Sequence, residues 1–272
     1  MRSAKIPEFE GYKEFLKPSK LLNYLKFGLI KTVKDKEYDV SLEEGREYAL
    51  LLLSGYIKIS AFEKAYIMGP RIDVFSGKAY ALYITGDVKE VKVNSIYSSE
   101  IAVVSAPSSK SNLVKLVTPD DVRVRIVGQG NWRRHVHDVI YENVEAERLL
   151  VGETFNLPGN WSSYPPHRHD NDNIPYESSM EEIYYFKVKP KQGFGAQFIY
   201  TDDGSVDEII KIQDSLAVII DKGYHPVVAA PGYQIYYLWV LAGEKRVLIP
   251  FDDPNHGWVK NVEPILENWQ TL

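Results

Sequence analysis

Three histidines and one glutamate in the second half of the chain have the chemistry and spacing of a metal site. In the run Tyr164-Pro165-Pro166-His167-Arg168-His169, the two histidines are two residues apart, so both imidazoles would leave the same face of a β-strand. His225 follows in Gly223-Tyr224-His225-Pro226. Imidazole nitrogens and a carboxylate oxygen are ligands that divalent first-row metals accept. The pattern therefore predicts a metal site on a β-scaffold.

The alternation of side chains along a strand selects Glu182 as the carboxylate ligand. Glu182 shares one strand face with Phe186 and Val188, whereas Glu181 shares the other face with Lys187. We expect the lysine face to meet solvent and the apolar face to line a barrel, where a lone carboxylate is costly without a partner. Glu182 is predicted to point inward to the metal, and Glu181 to be a solvated surface acid.

The remaining histidines are predicted not to be ligands. His135 and His137 have the same two-residue spacing, but they follow Arg133 and Arg134 and have no nearby inward-facing acid. His256 lies in a turn rich in Asp, Pro and Asn. The candidate set is thus His167, His169, Glu182 and His225, which leaves coordination positions open on a five- or six-coordinate ion. Zinc and manganese are the first candidates, and iron(II) and nickel are alternatives.

The bulk composition excludes several classes of function. The 272 residues carry a net charge of -5, which argues against a nucleic-acid partner. No apolar run approaches the ~20 residues of a membrane span, and the first residues lack the apolar segment of a secretory signal, so we expect a cytoplasmic protein without a membrane partner. The absence of cysteine excludes disulfides, thiolate ligands and a cysteine nucleophile.

Strand patterns dominate the chain and predict an all-β protein with an antiparallel sandwich or barrel architecture. Two short helical segments are expected, over 19–29 and 207–212. The two halves have a similar rhythm of strands and turns, which suggests two β-barrels joined near 145–150. The predicted strands cover 48–53, 56–61, 79–84, 88–93, 101–105, 182–188, 196–200, 216–220, 235–241 and 246–251.

Several motifs together resemble one enzyme family, the 5-deoxyglucuronate isomerases of bacterial myo-inositol catabolism. The resemblance is strongest over 150–258 and extends more loosely over nearly the whole chain. Its motifs are Trp161-Ser162-Ser163-Tyr164-Pro165-Pro166-His167 with His169-Asp170, Glu182-Ile183-Tyr184-Tyr185, Tyr200-Thr201-Asp202-Asp203, Gly223-Tyr224-His225-Pro226, Pro231-Gly232-Tyr233, and Phe251-Asp252-Asp253-Pro254 with His256. The long interval from Asp170 to Glu181 departs from the general cupin pattern but is shared by this family.

The resemblance implies a bicupin, which is a tandem of two antiparallel β-barrels of the double-stranded β-helix type. Residues 1–147 would form a barrel without metal, serving structure or assembly, and residues 148–272 the metal-binding barrel. By matching motifs, the four candidate residues correspond to the family's metal ligands. The implied reaction is the aldose–ketose isomerisation of 5-deoxy-D-glucuronate, a small sugar acid, to 2-deoxy-5-keto-D-gluconate. We also expect the chain to form a homo-oligomer.

Other functions fit the same ligands. A ketol-isomerase of pectin breakdown would act on a different uronate, a cupin dioxygenase would consume oxygen, and a sugar-binding cupin would turn nothing over.

The sequence does not identify the general base, although Tyr184, Tyr236 and Gln197 are candidates to line the barrel. For the substrate carboxylate, the candidate cations are Arg168, Lys222 and Arg246.

Overall fold

The computed structural model describes residues 2–269, which form 21 strands, two 3-10 helices (Gly130–Trp132 and Gly257–Val262) and one α-helix, α1 (Glu263–Trp269). The strands in chain order are β1 (Ser3–Lys5), β2 (Gly11–Leu16), β3 (Lys26–Thr32), β4 (Glu37–Ser41), β5 (Arg46–Ala61), β6 (Lys64–Arg71), β7 (Ala81–Thr85), β8 (Glu90–Pro107), β9 (Leu113–Val117), β10 (Arg123–Val127), β11 (Arg134–Ile140), β12 (Leu150–Asn156), β13 (Trp161–Ser162), β14 (His167–Arg168), β15 (Glu181–Lys189), β16 (Gly195–Tyr200), β17 (Asp207–Ile212), β18 (Leu216–Ile220), β19 (Val227–Ala229), β20 (Gln234–Ala242) and β21 (Phe251–Asp252).

All strand pairs are antiparallel, and they build two units, called the first and second half after the part of the chain that supplies most of each. The first half is one eight-stranded sheet built on the long strands β5 and β8. The second half contains a seven-stranded sheet in the order β1-β18-β15-β20-β12-β11-β10. A four-stranded sheet, β13-β19-β16-β17, and the short pair β14-β21 complete it. The all-β prediction is confirmed.

Three apolar clusters show how the two halves are held. One cluster lies within the first half and includes Leu50 and Leu52 of β5, and one lies within the second half and includes Phe186 of β15. The third contains residues of both halves, among them Leu51 of β5 and Ile183 of β15. Because side chains alternate along a strand, β5 and β15 each send one face into their own half and the other toward the opposite half.

Most predicted strands are confirmed, but two predicted interruptions are wrong. The segments 48–53 and 56–61 belong to the single strand β5, and 88–93 and 101–105 lie almost wholly in the single strand β8. Ser54-Gly55 is a bulge where the register with β8 shifts, and not a turn between strands. Gly55 has a φ of 107°, and a Cβ there would lie 2.0 Å from Ser99 Oγ, so only glycine fits the bulge.

Three further predictions of local structure are wrong. The segment 19–29 is not a helix, because Ser19–Tyr24 form bends and irregular backbone, and β3 begins at Lys26 with its apolar residues buried. The segment 207–212 is β17, a strand with alternating exposure. The segment 246–251 contains only the first residue of β21. These short segments carry no strong periodicity of their own, so their local sequence does not determine their structure.

The prediction that Glu181 is a solvated surface acid is also wrong. Its side chain is buried and accepts hydrogen bonds from the backbone N–H groups of Asn23, Tyr24 and Leu25 at 2.5, 2.8 and 2.7 Å. The face that it shares with Lys187 packs against the first half of the chain through Ile183 and Tyr185, and only Lys189 at its end is exposed. The acid therefore bridges the two halves.

Glu47 makes the reciprocal bridge from the first half. Its buried carboxylate accepts the backbone N–H groups of Glu147, Arg148 and Leu149 at 2.7, 2.7 and 2.8 Å. Each half thus places one buried glutamate near the start of a long central strand against three successive N–H groups of the other half. These bonds give each buried carboxylate three hydrogen-bond donors.

The proposed division into units 1–147 and 148–272 stays a prediction, and the pairing adds a feature that the spacing did not indicate. Strands β1, β10 and β11 come from the first 147 residues but belong to the sheet of the second half. A buried ion pair, Arg71 to Glu153 at 2.9 Å, also joins the halves.

None of the helices within 2–269 combines the length and apolar character that a membrane span requires.

Replacing Glu181 by alanine is expected to destabilise the protein by on the order of 3 kcal/mol, because three N–H groups lose their acceptor. Chemical denaturation of Glu181→Ala and of Glu244→Ala, an exposed acid nearby, measures the difference. An unchanged unfolding midpoint for Glu181→Ala would contradict the bridging role.

Candidate metal centre

The four predicted ligands are brought into the second half by three separate parts of the chain. His167 lies in β14, which pairs with β21, and His169 follows it directly. Glu182 is the second residue of β15 and pairs with Ile220 at the end of β18. His225 lies in the segment between β18 and β19. As predicted from alternation, Glu182 points into the interior of its own half.

Within the part of the chain that the structure describes, His169, Glu182 and His225 form a candidate metal cluster, with ligand atoms within 4.8 Å of one another. Glu182 Oε2 lies 3.3 Å from His169 Nε2 and 3.4 Å from His225 Nε2. His167 lies outside this close set but next to it, since its ring centroid is 4.9 Å from that of His225 and 6.5 Å from that of His169. The sequence thus identified the side chains that meet here.

Backbone carbonyls fix the orientation of all three imidazoles. His169 Nδ1 donates to Met180 O at 2.6 Å, His225 Nδ1 to Gly223 O at 2.9 Å, and His167 Nδ1 to Pro165 O at 3.4 Å. Because a carbonyl oxygen only accepts, Nδ1 of each ring carries a proton, and in the neutral form of the ring the lone pair is on Nε2. This arrangement prepares Nε2 of each ring for a metal ion.

Burial sets the protonation of the cluster. It lowers the pKa of His225 well below the usual range and, with the neighbouring His169 and Arg134, lowers the pKa of His167 to about 3. For His169, burial acts in the same direction but is outweighed by the Glu182 carboxylate, so its pKa is raised. Burial raises the pKa of Glu182. His167 and His225 are therefore neutral at neutral pH, as metal ligands must be.

One buried atom of the cluster has no partner. His225 is fully buried, and its Nε2 makes no hydrogen bond to the protein. A buried polar atom left without a bond is costly, and a metal ion accepts the lone pair that Nε2 directs into the cluster. The donor set of imidazole nitrogens and one carboxylate fits a divalent transition metal.

The loop from Asp170 to Glu181 is tied to the cluster at both ends. The Asp170 carboxylate accepts the backbone N–H of Gly223 at 2.8 and 3.0 Å, which links the segment after His169 to the segment before His225. Glu177 accepts the N–H groups of Asp170 and Asn171 at 2.8 and 3.1 Å. These bonds hold the two histidine-bearing segments at a fixed separation.

Gly223 is required where it stands. It has a φ of 93°, and a Cβ on it would lie 2.6 Å from the carbonyl oxygen of Tyr200. Its own carbonyl is the acceptor that orients His225. The position therefore combines a left-handed backbone, a close backbone approach and control of one imidazole.

A cavity of about 140 Å³ adjoins the cluster. His167 and Glu182 line it on the cluster side, and its other polar walls include Arg134 and Tyr184. Burial, followed by the charge of Glu182, raises the pKa of Tyr184 well above its usual value, so this hydroxyl keeps its proton. The cavity therefore offers hydrogen-bond donors beside the candidate metal position.

Several other residues singled out from the sequence lie elsewhere. Tyr236 faces the core between the halves, where its hydroxyl donates to Glu153 at 2.8 Å, and its neighbour Tyr237 lines the cavity instead. Gln197 is fully buried, and both atoms of its amide lack hydrogen-bond partners. His256 is about half exposed. It does not line the cavity.

His135 and His137 take no part in the cluster, as expected, but the stated reason was wrong. A buried acid does lie beside them, since His137 Nδ1 is 3.5 Å from Glu153 Oε2. That carboxylate is already engaged by Arg71 and Tyr236.

The three cations considered for a substrate carboxylate are all committed to other partners. Arg168 pairs with Glu177 and Asp202. Lys222 donates to Ser205, and Arg246 donates to backbone carbonyls. The two arginines that do line the cavity, Arg125 of β10 and Arg134 of β11, were missed, because their distance along the chain from the histidines gives no sequence signal.

Fold and site together define a bicupin with a candidate divalent-metal centre in its second half. The fold is shared with a mutant oxalate decarboxylase of Bacillus subtilis, which is 9% identical, with a TM-score of 0.61 over 93% of this chain and 79% of that chain. An IolB-like protein from Salmonella typhimurium LT2 is more similar, with a TM-score of 0.90 and 32% identity over 96% of this chain and 99% of that chain.

The chain belongs to the KduI/IolB family, whose family model matches residues 11–259. Two curated relatives bear the name 5-deoxy-glucuronate isomerase. The protein of Geobacillus kaustophilus (strain HTA426) is 45% identical over 79% of this chain and 78% of its own length. That of Bacillus subtilis (strain 168) is 36% identical over 88% of both.

Substituting Gly223 by alanine is expected to displace His225 and to lower metal affinity about 10- to 100-fold, the usual effect of disturbing the groups that orient a ligand. Elemental analysis after dialysis against limiting metal measures it.

Gly204→Ala is the matched control, since Gly204 also has a positive φ, 66°, but open space around its Cβ position. It should cost about 1 kcal/mol of stability and leave metal content unchanged. Equal metal content in both variants would contradict the role assigned to Gly223.

Proposed function

We propose that the protein is a metal-dependent aldose–ketose isomerase that converts 5-deoxy-D-glucuronate to 2-deoxy-5-keto-D-gluconate. The observation that carries the proposal is the combination of relatives bearing that isomerase name at 45% and 36% identity with the buried histidine–glutamate cluster beside a cavity. The reaction moves one hydrogen from the hydroxyl-bearing carbon to the aldehyde carbon, without net oxidation.

His167, His169, Glu182 and His225 would hold the divalent ion, with zinc or manganese as first candidates and iron(II) or nickel as alternatives. When bound, the ion supplies Lewis-acid polarisation of the substrate carbonyl. The carboxylate and the Nε2 lone pairs match that requirement, and each imidazole is oriented by a carbonyl acceptor. Four protein ligands leave room for substrate oxygens on a five- or six-coordinate ion.

The chain's own groups would position the substrate and exclude water. Tyr184 keeps its proton at neutral pH and donates hydrogen bonds, so it suits a substrate oxygen that gains charge rather than the role of general base. Its hydroxyl lies 3.0 Å from Ser163 Oγ, which holds it at the cavity wall. The apolar residues Val136 and Trp239 complete the wall and reduce water access.

The pectin-pathway ketol-isomerase is the second candidate, because it would use the same metal ligands and the same chemistry on a different uronate. The curated relatives described above carry the inositol-related substrate in their names, which favours 5-deoxyglucuronate.

Assembly as a homo-oligomer and a cytoplasmic location stay predictions. Size-exclusion chromatography with light scattering measures the first of these.

Purified protein is expected to convert 5-deoxyglucuronate, to lose that activity with a chelator, and to regain it with zinc or manganese, because the ion would polarise the reacting carbonyl. Product formation measured alongside elemental analysis tests this. A metal-loaded protein that leaves 5-deoxyglucuronate unchanged but isomerises the pectin-derived uronate would shift the assignment to the second candidate. Oxygen consumption would favour a dioxygenase.

His167→Ala is expected to reduce both metal content and turnover, because His167 would supply the fourth ligand. His135→Ala is the control, since it removes a histidine of the other His-x-His pair, away from Glu182. Full metal occupancy in His167→Ala with turnover lost would instead assign His167 to substrate binding.

A further inference from the structure

Arg134 is a buried cation without a counter-ion. Arg134 is only 9% exposed. Within residues 2–269, its guanidinium forms no ion pair with a carboxylate. A buried guanidinium normally has an anionic partner, because removing its charge from water is costly. Burial accordingly lowers the pKa of Arg134, although the group stays charged at neutral pH.

Only one nitrogen of the guanidinium is committed. Nη1 donates to Tyr164 O at 2.9 Å and to Trp132 O at 3.2 Å, which accounts for both of its hydrogens. Nε and Nη2 have no hydrogen-bond partner in the described part of the chain, and neither is sealed from solvent. Three N–H donors therefore stay available on one edge of the group, and this edge matches the two oxygens of a carboxylate.

Arg134 shares its cavity with the cluster. His167, Glu182 and Arg134 all line the same space of about 140 Å³. A second arginine of this cavity, Arg125, is already neutralised by Asp138, which accepts from Nε at 2.8 Å and from Nη2 at 2.7 Å. Of the two arginines in the cavity wall, Arg134 alone keeps an unpaired charge.

We propose that Arg134 binds the carboxylate of the substrate and makes the site specific for sugar acids over neutral sugars. The inference rests on the proposed function for the identity of the substrate. In 5-deoxyglucuronate the carboxylate lies at the opposite end of the six-carbon chain from the aldehyde. A cation in the wall of the same cavity would hold the acid end while the reacting carbons lie at the cluster.

Arg134 donates to the carbonyl of Tyr164, which lies three residues before His167. Loss of Arg134 could therefore act by displacing His167, and the test has to separate this structural role from a binding role. A structural role predicts that loss of Arg134 lowers metal content and weakens every sugar alike. A binding role predicts that Arg134→Gln loses the preference for acids. It also predicts that Arg134→Lys, which keeps the charge and one anchoring donor, has a metal content and a thermal midpoint close to those of wild type.

The test compares D-glucuronate with D-glucose, which differ only in the carboxylate, by titration calorimetry on chelator-treated protein. Wild type and the control Arg133→Gln, which removes the adjacent charge outside the cavity lining, are expected to prefer glucuronate by at least about tenfold. Arg134→Gln should lose this preference, and Arg134→Lys should retain part of it. The inference is overturned if wild type shows no preference or if Arg134→Gln keeps it.

Kinetics on the metal-loaded protein give the second readout. Arg134→Gln is expected to lower kcat/KM for 5-deoxyglucuronate by about 30-fold or more, mainly through KM, because an interaction made in both the ground and transition states is lost. If the protein binds glucuronate through Arg134 but does not isomerise 5-deoxyglucuronate, the isomerase proposal fails and the carboxylate site stands. If it isomerises with unchanged KM in Arg134→Gln, the carboxylate site fails and the isomerase stands.

Discussion

The burial of β15 on both faces is the constraint on which the rest of the structure depends. One face, through Ile183 and Tyr185, packs into the apolar core shared by the two halves. The other, through Tyr184 and Phe186, packs into the interior of the second half. Because side chains alternate, the strand cannot slip by one residue without exchanging these two environments. This fixed register places Glu182 at the cluster and Glu181 at the bridge between the halves.

Four buried glutamates show three ways in which this protein accommodates a carboxylate away from water. Glu181 accepts three backbone N–H groups, as Glu47 does in the first half. Glu153 is neutralised by Arg71 and hydrogen-bonded by Tyr236. Glu182 has imidazoles and the Tyr184 hydroxyl as close polar partners but no arginine or lysine, and its pKa is raised by burial. It is the acid whose surroundings leave room for a cation, which distinguishes a candidate metal ligand from a structural acid.

Several polar groups in the interior of the second half are unpaired, in and around the candidate metal cluster. His225 Nε2 and the Gln197 amide lack partners, and Arg134 lacks a counter-ion. Unsatisfied groups of this kind reduce stability and are retained where a ligand completes them. The aligned backbone carbonyls and the Asp170–Gly223 link supply the rigidity that such a site needs. The first half contributes this rigidity through the shared core and supplies none of the four candidate ligands.

The sequence by itself determined the all-β class, most strand positions and the set of side chains that meet at the cluster. Period-two alternation and the two-residue spacing of His167 and His169 are local signals, and local signals survive without knowledge of the fold. The sequence could not assign the environment of Glu181, because only tertiary packing decides whether the second face of a strand meets water or another sheet. It also could not find Arg134, since β11 reaches the cavity through pairing with β12, and no spacing along the chain encodes that approach. The short segments 19–29 and 207–212 followed the same rule, because their weak propensities yielded to neighbouring strands.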